Sequence, residues 1–259
     1  MSITGLLIGL AAGVLGGLVG IGGGVVMTPL MTEILKFRQH EAHGTSLVAV
    51  VFTGLTGSIV YYIHGSVDII VSILLASLAL STVRLGARYC NLLPEHLLKR
   101  YYGIFLLFVS ILLFAKPYLP HVVDTNSPIW IRLGMLVITA VITGFVSGMM
   151  GVGGGTVMVP MMVLFIGINQ VTAQGISLLS MTPVSALGAW THWKMGNVRT
   201  RIIPGLAVGV LIGAYSGGSF AHCLPENLLR AVFALVIIYT AIRYLRAKPA
   251  SVNHRQPKG

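Results

Sequence analysis

Two clusters of glycine, Gly20-Ile21-Gly22-Gly23-Gly24 and Gly151-Val152-Gly153-Gly154-Gly155, are the residues whose type and spacing could hold a ligand. Each interrupts a strongly apolar region, and each is followed by a proline, Pro29 or Pro160, of the kind that breaks helices. Backbone unwound at glycine presents N–H groups, and the start of a short helix behind them adds the positive end of its dipole; both suit an anion. On this reading Gly22, Gly23 and Gly24 oppose Gly153, Gly154 and Gly155 across one central pocket. Close helix packing is the competing reading, because membrane helices use small residues where they touch. The pattern argues against a nucleotide loop, since no strand pattern precedes either cluster and no Gly-Lys-Ser/Thr follows.

Polar residues recur downstream of both clusters. Gln39 and Gln170 can donate amide hydrogens to an anion or satisfy loop carbonyls. Gly44-Thr45-Ser46 and Gly175-Ile176-Ser177 each open the next apolar helix, so the hydroxyls of Thr45, Ser46 and Ser177 either cap exposed amides or bind a ligand oxygen. His43 stands where the second copy has Gln174, and both are candidate pocket walls, His43 a protonatable one. His40, Glu41 and His43 lack the i, i+4 histidine spacing of the helical zinc motif, and their counterparts are Val171, Thr172 and Gln174; no metal or cofactor is expected. Arg84 and Arg88 would be anion ligands if buried and snorkelling residues at an interface, the reading preferred here. Trp190, Trp193, Tyr61, Tyr62, Tyr101 and Tyr102 read as interfacial anchors. Glu33 and Asp68 read as solvated helix-end residues, and Cys90 and Cys223 give no disulfide framework.

The elements that must position these residues come in two copies. Residues 17 to 47 and 148 to 178 align without a gap at an offset of 131, with 14 of 31 positions identical. The same offset relates Gly57 to Gly188, Gly65 to Gly196 and Leu93-Pro94-Glu95 to Leu224-Pro225-Glu226. Two broken apolar segments at matching places in two halves point to a transport site. With 55% hydrophobic residues, 9% charged residues and a mean hydropathy of +0.89, the chain has too little polar surface for a soluble globule. The expected fold is an all-α integral membrane protein of two homologous repeats. Each repeat has about four transmembrane helices and a glycine-broken or re-entrant segment. Crossing a bilayer takes ~20 apolar residues, and eight such regions occur near 3–19, 45–63, 68–83, 101–115, 129–150, 175–193, 202–220 and 229–245. The first region is read as part of the mature chain, since no basic segment precedes it. Residues 1–115 then form the first repeat, 116–128 a proline-bearing linker, 129–247 the second repeat and 248–259 a basic tail. The net charge of +11 is spread over short loops and that tail, which fits membrane topology and not nucleic-acid binding. Whether the repeats are parallel or inverted depends on how the broken segment counts, which the sequence leaves open.

At these residues the chain resembles the sulfite exporter TauE/SafE family of small permeases. The two Gly-x-Gly-Gly-Gly-x-x-x-x-Pro segments carry the resemblance, with the Ala-x-Gly-x-Ser-Leu runs after them. The loops Gly65-Ser66-Val67-Asp68 and Gly196-Asn197-Val198-Arg199 and the Leu-Pro-Glu turns complete it. It implies a multi-pass transporter in the cell membrane, the inner membrane of a bacterium, moving sulfite, thiosulfate, a sulfonate or a related organic anion. Alternating access of two repeats around the glycine pocket is the expected mechanism, with the substrate and the lipid bilayer as partners and H+ or Na+ as candidate coupling ions. An anion channel is the nearest alternative. An intramembrane enzyme is disfavoured, because none of the six acidic residues recurs inside an apolar segment as paired catalytic groups would.

Overall fold

A computed structural model describes residues 2–90, 92, 100, 103, 104, 107, 108, 110, 111 and 128–246. The crossing expected at 101–115 and the linker at 116–128 lie largely outside these residues, and the tail from 248 lies wholly outside them. Among the described residues the fold is all-α. Its elements are α1 (Ile3–Val19), α2 (Gly24–Ile34), α3 (Gln39–Ile63), α4 (Ile69–Cys90), α5 (Ile129–Met150), α6 (Gly155–Met161), α7 (Gln170–Lys194), α8 (Ile203–Ala221) and α9 (Glu226–Arg246). A π-helical turn, Met162–Ile166, prolongs α6, and a 3₁₀ turn, Thr200–Ile202, precedes α8.

Among the described residues, five helical stretches are long and apolar enough to cross a membrane: Gln39–Ile63, Ile69–Cys90, Trp130–Met150, Thr200–Ala221 and Glu226–Arg246. α1, at 17 residues, falls just short of that length. α7 spans 25 residues, but glutamine, serine, threonine and histidine side chains run along it. Large apolar side chains such as Ile3, Ile63, Ile70, Ile73, Trp130 and Tyr239 face outward, as they do where hydrocarbon replaces water as the solvent.

The chain turns where glycine permits it. α1 ends at Gly20 (φ 73°) and α5 at Gly151 (φ 66°), both left-handed. Gly23 (φ 75°) and Gly154 (φ 84°) then start α2 and α6 in the same conformation, which side-chain-bearing residues adopt at a cost. Pro29 and Pro160 lie inside α2 and α6, so the helix break belongs to the glycines and not to the prolines.

Small residues set the packing and its direction. A Cβ at Gly13 would fall 2.8 Å from Val210 O and one at Gly17 would fall 2.5 Å from Ala214 O, so α1 and α8 run side by side in the same sense. α4 and α5 do likewise, with Gly144 on Ala79 and Gly148 on Val83. Adding 131 turns the pair Ala79 and Gly144 into Val210 and, from the other side, Gly13: the first helix of each copy packs on the fourth helix of the other. The central helices behave differently. Leu47 lies by Gly188, Gly57 by Leu178 and Tyr61 by Gln174, so α3 and α7 are antiparallel. These two central helices, related by the 131-residue offset, therefore run in opposite senses.

Candidate functional site

The two glycine loops cross at mid-height of α3 and α7. Gly24 lies against Gly151 and Val152, where an added Cβ would sit 2.9 Å from Gly151 O. Reciprocally, Gly155 lies against Gly20 and Ile21, where a Cβ would sit 2.6 Å from Gly20 O. The loops thus run antiparallel, with Gly22 and Gly153 at the crossing and both in contact with Val50 and Met181. Ile21, Val152 and the glycines are buried.

Four of the polar residues expected from sequence converge on this crossing, in reciprocal pairs. Ser46 donates to Gly151 O at 2.6 Å, and Ser177 donates to Gly20 O at 3.1 Å. His43 packs on Gly151 and Gln174 on Gly20, both side chains fully enclosed. Gln174 Oε1 accepts from Tyr61 Oη at 3.0 Å, while its Nε2 has no protein partner. Unpaired amide hydrogens in such a place are costly unless something accepts them.

The other candidates go elsewhere. Thr45, Ser46 and Ser177 are not caps, because α3 and α7 start about two turns earlier, at Arg38 and Asn169; Asn169 Oδ1 accepts from Thr172 N–H at 2.8 Å. Thr45 Oγ1 instead accepts from Arg199 N–H at 3.0 Å, tying down the loop at 196–199. Gly44 and Gly175 leave room for the carbonyls of Asn197 and Ser66 in the two corresponding loops, so the Gly-x-Ser pattern serves two neighbours at once. Gln170 is buried at the start of α7, its backbone N–H donating to Glu226 Oε1 at 3.1 Å and its side-chain amide without a protein partner. Glu41 pairs with Arg199 at 2.6 Å. Arg84 and Arg88 are exposed. Tyr61, expected at an interface, is instead fully buried beside Gly17 and Gln174, because its hydroxyl finds carbonyl and amide partners inside. Tyr62, Trp190 and Trp193 are exposed.

A cleft of about 570 Å³ opens between α2, the start of α3 and the end of α9, lined by Pro29, Thr32, Glu33, Gln39, Tyr239 and Arg243 among others. Glu33 and Arg243 form an ion pair across it, and Arg243 donates to Tyr239 Oη at 3.0 Å. Gln39 on its wall is 3.0 Å from His43 Nε2, so a side-chain link leads from the cleft to the second glycine loop.

Sequence reasoning missed several polar groups around that second loop: Thr143, Ser147, Ser185 and His192 are all buried. His192 Nε2 stands 3.1 Å from Gly148 O, and since a carbonyl only accepts, that nitrogen carries the proton. Their first-copy counterparts are Ala12, Gly16, Gly54 and Tyr61. A search for polar residues without a counterpart inside apolar helices would have found them.

A probable membrane transporter of Bacillus subtilis, YunE, is 24% identical over 254 residues, covering 90% of this chain and 93% of that protein. Another, from Methanocaldococcus jannaschii, is 28% identical over 250 residues, covering 90% and 91%. A third, from Xylella fastidiosa, is 26% identical over 247 residues, covering 92% and 91%. No solved structure matches significantly. Each of these relatives is named a probable membrane transporter, and with five helices among the described residues fit to span a bilayer the chain is a multi-pass protein of the cell membrane. The family model for the sulfite exporter TauE/SafE family matches residues 5–244, and the chain belongs to that family of membrane transporters.

Proposed function

We propose that the protein is a secondary transporter for a small sulfur-containing or organic oxyanion, of the size of sulfite, thiosulfate or a short sulfonate. The reading rests on the reciprocal crossing of two unwound glycine loops at mid-height of two antiparallel central helices. Irregular backbone at such depth survives only where protein or a water-filled cavity surrounds it. Broken segments from two inverted copies are a common way to build a site that opens alternately to either side. In this scheme the substrate lies at the crossing, held by backbone N–H groups of Gly22–Gly24 and Gly153–Gly155 and by side chains of Gln174 and His43, while the hydroxyls of Ser46 and Ser177 hold the two loops in place. Gln39, Gln170 and Thr45 position the surrounding helices. The cleft beside Gln39 and the Glu33–Arg243 pair serves as the approach from one face.

Uptake of radiolabelled sulfite, thiosulfate and methanesulfonate into liposomes holding the purified protein tests the reading, with and without proton or sodium gradients. Saturable uptake of one anion supports it, and the gradient response names the coupling ion. Gly24→Ala and Gly155→Ala are the informative variants. Neither glycine has a positive φ, and the added Cβ would strike the backbone of the opposite loop. Each is expected to cut uptake at least roughly tenfold, the effect of misplacing a binding group by about an ångström. Unsaturable current without exchange would make the protein a channel, and uptake unaffected by either variant would remove the crossing from the transport path.

A further inference from the structure

The two copies do not contribute equally at the crossing. At the first loop, the space where Gly16 would carry a side chain is filled by the backbone of Gly22 and Gly23, and that at Gly54 by Leu178 and Thr182. The first loop therefore closes directly on α1. At the second loop the corresponding residues are Ser147 and Ser185. Ser147 places its Cβ 3.4 Å from where a side chain on Gly154 would begin, and Ser185 Oγ lies 3.5 Å from the same point on Gly153. Thr143 also packs on this loop, its Cγ2 2.5 Å from the same point on Gly154. Side chains thus stand between the second loop and its helices where the first loop meets bare backbone.

The hydroxyls of Ser147, Ser185 and Thr143 are buried and have no protein partner. Serine and threonine in helices ordinarily donate to their own helix four residues back. Thr139 does so to Met135 O at 2.7 Å, Ser180 to Ile176 O at 2.8 Å and Thr191 to Leu187 O at 2.8 Å. Ser147 and Ser185 keep their O–H groups free of that bond. A free O–H has a hydrogen to give to an anion, whereas a back-bonded one offers a ligand only its oxygen lone pairs.

We infer that Ser147 and Ser185, walled by Thr143, form an oxyanion subsite on the second glycine loop, so that the substrate binds off-centre, against the second copy. The inference rests on the transport reading above and adds residues to its site. Orphaned hydroxyls in a buried place cost stability, so removing them has an unusual double signature. The double variant Ser147→Ala with Ser185→Ala is expected to melt at or above the temperature of the wild type without ligand, yet to bind the anion at least about tenfold more weakly, as loss of hydrogen bonds to a charged group requires. Thr139→Val, which removes a hydroxyl already committed to its own helix, is expected to leave binding unchanged.

The measurement is equilibrium titration of purified protein with potassium sulfite, thiosulfate and methanesulfonate, repeated in sodium buffer, with the single variants read in the same way should the double variant fail to fold. Weaker binding of the preferred anion with undiminished stability supports the subsite. Equal affinity in wild type and double variant overturns it, as does absence of binding of all three anions by the wild type. A change confined to the sodium dependence overturns it too, making the hydroxyls a cation site. Binding without uptake into liposomes would instead overturn the transport reading and leave the subsite standing, whereas uptake with unaltered affinity in the variant would remove only the subsite.

Discussion

Two serines hold the crossing by the same device, a hydroxyl donated to the first carbonyl of each glycine cluster, and their geometry ranks them. Ser46 is 2.6 Å from Gly151 O and Ser177 is 3.1 Å from Gly20 O. Ser46→Ala is expected to cost about 1–2 kcal/mol of stability, and Ser177→Ala less, because removing a buried hydroxyl leaves its carbonyl unpaired; equal losses in thermal unfolding would count against this ranking. A second residue-scale expectation concerns pH. His222 lies just beyond α8, its ring stacked on His64 with centroids 4.1 Å apart. Burial, and then the nearby His64, hold its pKa below the ordinary 6.5, against a hydrogen bond to Gly218 O. A group that is harder to protonate when folded favours the native state above the unfolded pKa, and that advantage is lost as the pH falls through the folded value. The melting temperature should therefore decline from about pH 6.5 downward, and His222→Gln should flatten the decline. At this scale the repeated polar residues were legible in the sequence, because two copies of Ser-Leu after a glycine cluster stand out. Ser147 and Ser185 are marked in the sequence only by lacking polar counterparts in the first copy, and that their hydroxyls are not back-bonded shows in the side-chain geometry alone.

The helices were legible wherever apolar length carried the signal, and less so where polar function diluted it. The sequence reading started the two central helices at 45 and 175, but both begin at the glutamines, Gln39 and Gln170, because the polar first turns are buried against neighbouring loops and not solvated. The half-helices after the glycines were foreseeable, since eleven residues from Val25 to Leu35 are too few to cross. Their different ends were not. α2 ends before Lys36, which holds a φ of 53° where the second copy has Gly167 at 78°. Only glycine takes that conformation freely, and other residues lose roughly 1 kcal/mol. Gly167→Ala should accordingly destabilise the protein by about that amount, and Lys36→Gly should stabilise it or leave it unchanged, since glycine's greater freedom in the unfolded chain offsets part of the gain. Thermal unfolding of the two variants checks the opposed signs.

At the scale of the whole molecule, the duplication was plain in the sequence and its handedness was not, because the direction of a copy depends on contacts between residues far apart in the chain. Antiparallel α3 and α7 place Gly65 and Gly196 at opposite ends of the bundle, both with open space around them. In a background with Cys223→Ser, Gly65→Cys and Gly196→Cys should react with a membrane-impermeant maleimide from opposite sides of intact vesicles; labelling of both from one side would refute the inverted arrangement. The exchange of helices between copies also bears on how the protein is made. Gly9, Gly13 and Gly17 of α1 have their partners in α8, roughly 200 residues downstream. At a synthesis rate of about 5–20 residues per second, α1 waits some 10–40 s in the bilayer with its glycine face bare. α4 waits only for α5. Folding of the first half is thus held open until the last quarter of the chain arrives, and a ribosome stalled before α8 would leave in the membrane a protein with no partner for its first helix, a substrate for quality-control proteolysis and not a smaller transporter.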